Sequence, residues 1–196
     1  TRYKIYHVGQ IDQDISDIHV SDTGHVAGVQ FIWDGGDGTP GHTFRYTVNT
    51  GLELVSGMPD PAPHHQVGDV NGAEIIVGNY MFSLPGSRPA GHMAFMLDPG
   101  FTSLGTLTGF ESSLAWGVNS SGSVVGTCNN YNYPAADENK AFIKHSGLSM
   151  GRLFHTIPGN SWAWCINEDG QVGGAIEGLG DERLAVRYTP GHSPLM

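Results

Sequence analysis

The chain has 196 residues, with 19 acidic against 9 basic side chains and a net charge of −10 at pH 7. Its three lysines cannot supply the clustered phosphate contacts that dominate nucleic-acid affinity, which argues against nucleic acid and against an anionic membrane surface as partners. No apolar run approaches the roughly 20 residues of a membrane-spanning helix.

Glycine is abundant at 29 residues and proline adds 11, while apolar residues still make up 39% of the chain. That balance predicts many short strands joined by turns around a real core, in one domain over residues 1–196. The chain opens on Thr1 with no signal peptide, which fits a mature exported protein as well as a trimmed one. Cys128 and Cys165 match no metal-ligand spacing. A disulfide between neighbouring repeats and a pair of buried thiols are equally good readings of them.

In chain order, Tyr3 to Val8 reads as a lone first strand, and a repeat then begins. Four segments align without a gap: Val20 to Gly28 (VSDTGHVAG), Val70 to Gly78 (VNGAEIIVG), Val118 to Gly126 (VNSSGSVVG) and Ile166 to Gly174 (INEDGQVGG). Their first residues are spaced by 50, 48 and 48 positions. Each predicts a hairpin, with a β-branched residue closing one strand and Asn or Ser bonding the turn backbone. Gly stands fifth in three copies, where a positive φ is needed, and Glu74 replaces it in the second copy.

A second match follows in each unit: HTFRY from His42, MAFML from Met93, KAFIK from Lys140 and LAVRY from Leu184. These run into Gly51, Gly100, Gly147 and Gly191, and after three of them comes one more short strand. A unit therefore reads strand a, tight turn, strand b, long loop, strand c, tight turn, strand d. The expected architecture is all-β, a four-bladed β-propeller of four-stranded antiparallel blades. The repeats cover approximately 10–59, 60–109, 110–158 and 159–196, the last completed by 1–9. That N-terminal strand would pair into the fourth blade, close the ring and leave no blade edge unmatched.

The stretch Ser103 to Gly109 (SLGTLTG), then Ser113 to Gly126, and Ala163 to Gly174 resemble the HAF repeat of bacterial, often extracellular, proteins. The His-Ala-Phe triplet behind the family's name survives here as His42, Thr43, Phe44, as His92 to Phe95, and as Ala141, Phe142. The resemblance implies a β-propeller-like repeat and export, so an extracellular or periplasmic location. It carries over no catalytic residue.

In an up-and-down blade the a–b and c–d turns share one end, and the b–c and d–a connections share the other. The a–b turns are short and alike, whereas the b–c loops are long and differ, which puts recognition at the long-loop end. Candidate ligand-binding residues there are Trp33, His64, His65, Tyr80, Arg88, Asn130, Tyr131, Tyr133 and Trp162. Aromatic planes suit the C–H face of a sugar, and amides and Arg suit its hydroxyls. The plainer reading is that these aromatics pack the loops down.

The innermost strands suggest a second constellation of Asp17, His19 and Asp69 at one end of the channel. An Asp–His couple can serve as acid and base or hold a structural cation in the channel, and buried polar groups that satisfy one another are the alternative. No other cofactor is called for. Trp116 and Trp164, placed by period-2 alternation beside Val118 and Ile166, read as core between blades. The leading expectation is a non-enzymatic protein that binds a carbohydrate or other small polar ligand at the long-loop end. The alternatives are a lyase, cyclase or hydrolase working through His19, Asp69 and Asp17, and a scaffold for a protein partner.

Overall fold

In the computed structural model of this chain, the described residues are 15–32, 39–47, 49–58, 65–82, 91–130, 138–155, 157–178 and 182–191. They form fifteen strands in four antiparallel sheets, with no helix. Sheet 1 contains β1 (Ile15–Val20), β2 (Val26–Ile32), β3 (Thr39–Thr47) and β4 (Gly51–Leu54) in that order. Sheet 2 contains β5 (His65–Val70), β6 (Ile76–Phe82), β7 (Gly91–Asp98) and β8 (Gly100–Ser103). Sheet 3 contains β9 (Ser112–Val118), β10 (Val124–Asn129), β11 (Asn139–Lys144) and β12 (Gly151–Arg152). Sheet 4 has three strands, β13 (Ser161–Ile166), β14 (Val172–Glu177) and β15 (Arg183–Tyr188). Each repeat expected from the sequence is thus one meander. The N-terminal strand expected over residues 3–8 lies outside the described residues.

The aligned segments are the hairpins between the first two strands of each sheet, and their physics repeats. Gly24, Gly122 and Gly170 sit at φ of 85°, 73° and 73°, and Glu74 takes the same left-handed conformation at 66°. The Asn at the second position caps the turn. Asn71 Oδ1 accepts the amides of Ala73 and Ile75, Asn119 Oδ1 that of Ser123, and Asn167 Oδ1 that of Gln171. Ser21 does the same in sheet 1, its Oγ accepting the His25 amide. The Asn side chains also link sheet to sheet. Asn71 Nδ2 donates to the Asn119 carbonyl at 2.8 Å, and Asn119 Nδ2 donates to the Asn167 carbonyl at 3.1 Å.

The last glycine of each segment answers to a different constraint. The first strand of every sheet carries a bulge, so that Ile18, Gly68, Trp116 and Trp164 each fall where the pairing register shifts. A Cβ on Gly78, Gly126 or Gly174 would fall well inside van der Waals distance of the Gln66, Leu114 or Trp162 carbonyl oxygen. In the first three sheets the Phe of the c strand fills the vacated space, Phe44 opposite Gly28, Phe95 opposite Gly78 and Phe142 opposite Gly126. Gly and Phe are therefore one device, which is why both recur at fixed spacing.

Among the described residues three hydrophobic clusters fill three successive junctions. Ala27 and Val29 of sheet 1 pack on Val67, Val70, Ile76 and Phe95 of sheet 2. Ile75, Val77 and Ala94 of sheet 2 meet Ala115, Val118, Val124 and Phe142 of sheet 3. Val125 and Ala141 of sheet 3 meet Ala163, Val172 and Ile176 of sheet 4. Each sheet thus has a forward face toward the next sheet and a back face toward the previous one. No fourth cluster joins sheet 4 to sheet 1 among the described residues.

Candidate functional site

The first strands of the sheets lie side by side. A Cβ on Gly68 would run into the Ala115 carbonyl and come within 3.1 Å of Trp116 Cα, and one on Gly117 would lie 3.0 Å from Cys165 Cα. Only small residues at these positions permit that approach. The two ends of this row of strands differ in character. The short hairpin turns gather at one end, and the second and third strands of each sheet are joined at the other.

Asp69 and His19 lie at the short-turn end, one residue before the hairpins, and so opposite the long loops. Asp69 Oδ1 accepts the Val70 amide at 2.8 Å, and its Oδ2 reaches across to sheet 3 and accepts the Val118 amide at 3.0 Å. Burial raises the Asp69 carboxyl above its usual range, while the two amides and the His19 imidazole pull the other way. The carboxylate thus ties sheet 2 to sheet 3 and lies within electrostatic reach of His19. Asp17 sits in the bulge of β1 at a φ of 50°, its carboxylate receiving the Ser16 hydroxyl at 3.3 Å. Among the described residues no three His, Cys, Asp or Glu side chains converge as a metal requires.

At the long-loop end, His65, Tyr80, Asn130 and Trp162 are described, whereas Trp33, His64, Arg88, Tyr131 and Tyr133 lie outside the described residues. Tyr80, Asn130 and the repeat position of His65 serve to hold the sheets together. Tyr80 packs on the cluster between sheets 1 and 2, edge-on to Phe101 with ring centroids 5.6 Å apart. Asn130 Oδ1 accepts the Glu111 amide at 2.9 Å and its Nδ2 donates to the Gly109 carbonyl at 3.1 Å, which ties down the connection into sheet 3. His65 is buried where sheets 3 and 4 have Ser113 and Ser161, whose hydroxyls accept the Ala94 and Ala141 amides of the preceding sheet.

Trp162 stands apart. It is half-buried at the second position of β13, with the Arg183 guanidinium 4.6 Å above its ring. Ser16, Gln66 and Leu114 occupy its repeat-equivalent positions. On sheet 2 that register carries a polar chain in place of the stacked pair. Asn79 Nδ2 donates to Gln66 Oε1 at 3.1 Å, and His92 Nδ1 meets Asn79 Oδ1 at 3.0 Å. Ser112 Oγ then accepts the His92 amide and donates to the His92 carbonyl. Arg183, Gln66, Asn79 and His92 were not singled out from the sequence. Their shared signal is repeat position, since Arg183 stands where sheets 2 and 3 have His92 and Asn139.

Two expectations need correction. Trp164 is not core, being half exposed, because the bulge breaks the alternation that placed it beside Ile166. The cysteines are both free, with Cys128 buried and Cys165 exposed. Burial pushes the Cys128 thiol up to about 11.

A scan of protein-family models finds none that matches this chain, and a search of curated proteins returns no significant match.

Proposed function

We propose that the four sheets are the blades of a β-propeller and that the protein binds a carbohydrate or another small polar ligand at its long-loop end, without catalysis. The observation that carries the reading is Trp162, a half-buried indole held by Arg183 at that end of the innermost strand. Ser16, Gln66 and Leu114 at the equivalent positions make the rim asymmetric, with a single aromatic plane in that register, under the Arg183 guanidinium. An indole face stacks on sugar C–H groups while amide and guanidinium donors meet hydroxyls, which is how a shallow polar ligand is held. A propeller of this kind, exported as the HAF-type resemblance implies, would meet such ligands outside the cell.

The test is a thermal-shift screen against sugars, divalent cations and a diverse metabolite set. Ligand at about 100 times its Kd stabilises a protein by about 2.7 kcal/mol, which reads as several degrees in a chain of this size. A shift with a sugar family that disappears in Trp162→Ala is the expected result. The second reading is an acid–base enzyme at the short-turn end, favoured by the raised Asp69 carboxyl beside His19. Turnover lost in His19→Ala but retained in Trp162→Ala would replace the first reading by this one.

A further inference from the structure

The back face of sheet 1 and the forward face of sheet 4 are built like the faces that meet at the three filled junctions, yet no cluster of the described residues covers either. Val20 is 68% exposed, whereas Val70 and Val118 at the same repeat position are 4% and 5% exposed. Ile15 is 42% exposed where Ser113 and Ser161 are 0% and 3%. On sheet 4, Ala185 is exposed where Ala94 and Ala141 are buried. A repeat position buried at each internal junction and bare at the ends marks a junction without its partner.

We infer that the forward face of sheet 4 docks on the back face of sheet 1 of the same chain, forming a fourth junction that closes the ring. Continuity with the three existing junctions supplies its contacts. Asn71 and Asn119 each donate Nδ2 to the turn carbonyl of the next sheet, while Asn167 Nδ2 turns back to its own Gln171 Oε1. The carbonyl next in that series is Ser21's, which accepts the Gly24 amide just as the Asn119 carbonyl accepts the Gly122 amide. Charge also matches. Asp17 stands where sheets 2 to 4 have Val67, Ala115 and Ala163, all in junction clusters. Arg187 stands where Met96 and Ile143 pack against those clusters. Sheet 1 also has a base there, Arg45, but it is paired with Glu53 of its own sheet and faces Val67. Arg187 would instead face Asp17, giving the fourth junction an ionic contact that the other three lack at these positions.

This closure rests on the propeller reading, and the test separates the two. The approach of position 117 to Cys165 across the third junction predicts the same approach of Cys165 to position 19 across the fourth. The variant His19→Cys should therefore oxidise to an intramolecular disulfide with the native Cys165, since adjacent Cα atoms about 4.4 to 6.8 Å apart permit the bond. The expected product is a monomer of faster mobility without reductant. Disulfide-linked dimers would overturn the single-chain closure and make a second copy the occupant, leaving the propeller reading intact. Three free thiols, those of Cys128, Cys165 and the introduced cysteine, in a variant with native circular dichroism would overturn both. In the unaltered chain, Cys165 should react with Ellman's reagent at least tenfold more slowly than in the urea-unfolded chain. Equal rates would overturn the closure even if the variant failed to fold.

Discussion

Asn119→Ala probes the repeat scaffold at its most connected point. The side chain accepts the amide of Ser123, a buried residue, and the Ser121 hydroxyl, and it donates to the Asn167 carbonyl of the next sheet. Leaving one buried amide without an acceptor costs about 1 to 3 kcal/mol, and losing the neutral bond to Asn167 adds about 1 kcal/mol. The sum, about 2 to 4 kcal/mol, corresponds to a fall in Tm of about 5 to 15 °C for a chain of this length. Thermal unfolding followed by circular dichroism, with urea unfolding at unchanged m, measures it. Asn119→Asp separates the two contributions, because a carboxylate still accepts from Ser123 but cannot donate to Asn167. Its loss should fall between wild type and Ala. An Ala variant within about 0.5 kcal/mol of wild type, the range of an uncommitted surface change, would refute the turn-and-ladder account.

Other consequences follow from single atoms. Gly126→Ala drives a Cβ against the Leu114 carbonyl and to 2.7 Å from Phe142. It should cost at least about 2 kcal/mol by overpacking, while Gly100→Ala, with nothing within 4 Å, should be nearly silent in the same urea titration. Glu74→Gly relieves a left-handed residue and should raise Tm by about 2 to 4 °C for about 1 kcal/mol gained. A fall would mean that the Glu74 contact to His25 at 3.8 Å outweighs the backbone strain. Asp69 is the pH probe. Its folded carboxyl titrates above 3.8, so the folded state holds the proton after the unfolded chain has released it. Stability from this group is complete below 3.8 and declines as pH rises through the raised value. The advantage of wild type over Asp69→Asn should therefore shrink with rising pH in equilibrium unfolding. An advantage that grows would show that the two amides and His19 outweigh burial.

Much of the architecture is legible in the sequence because the repeat encodes it twice. The hairpin segment fixes where strands a and b turn, and the Gly–Phe device fixes which strands pair beside it, so sheet membership follows from alignment alone. The strand-a bulge is not legible. Ile18, Gly68, Trp116 and Trp164 share no side-chain character, and period-2 reasoning slips by one residue across them, which is how Trp164 came to be expected in the core. At the site, residue type proved weaker than register. Tyr80 and Asn130 have the chemistry of ligand groups, but Phe101 and the backbone of residues 109 and 111 engage them. Asp69 looked like a channel acid, and its two amide partners could be seen only once sheets 2 and 3 were set side by side. Arg183 opens β15 just after a stretch that differs from repeat to repeat, and only its repeat position relative to Trp162 gives it meaning.

The claim that recognition belongs to the long-loop end is tested most directly by tryptophan fluorescence on titration with any sugar that raises Tm. The account predicts saturable quenching in wild type and in Trp164→Ala, and none in a folded Trp162→Ala variant. Undiminished quenching and affinity in Trp162→Ala would contradict it and move the site away from β13.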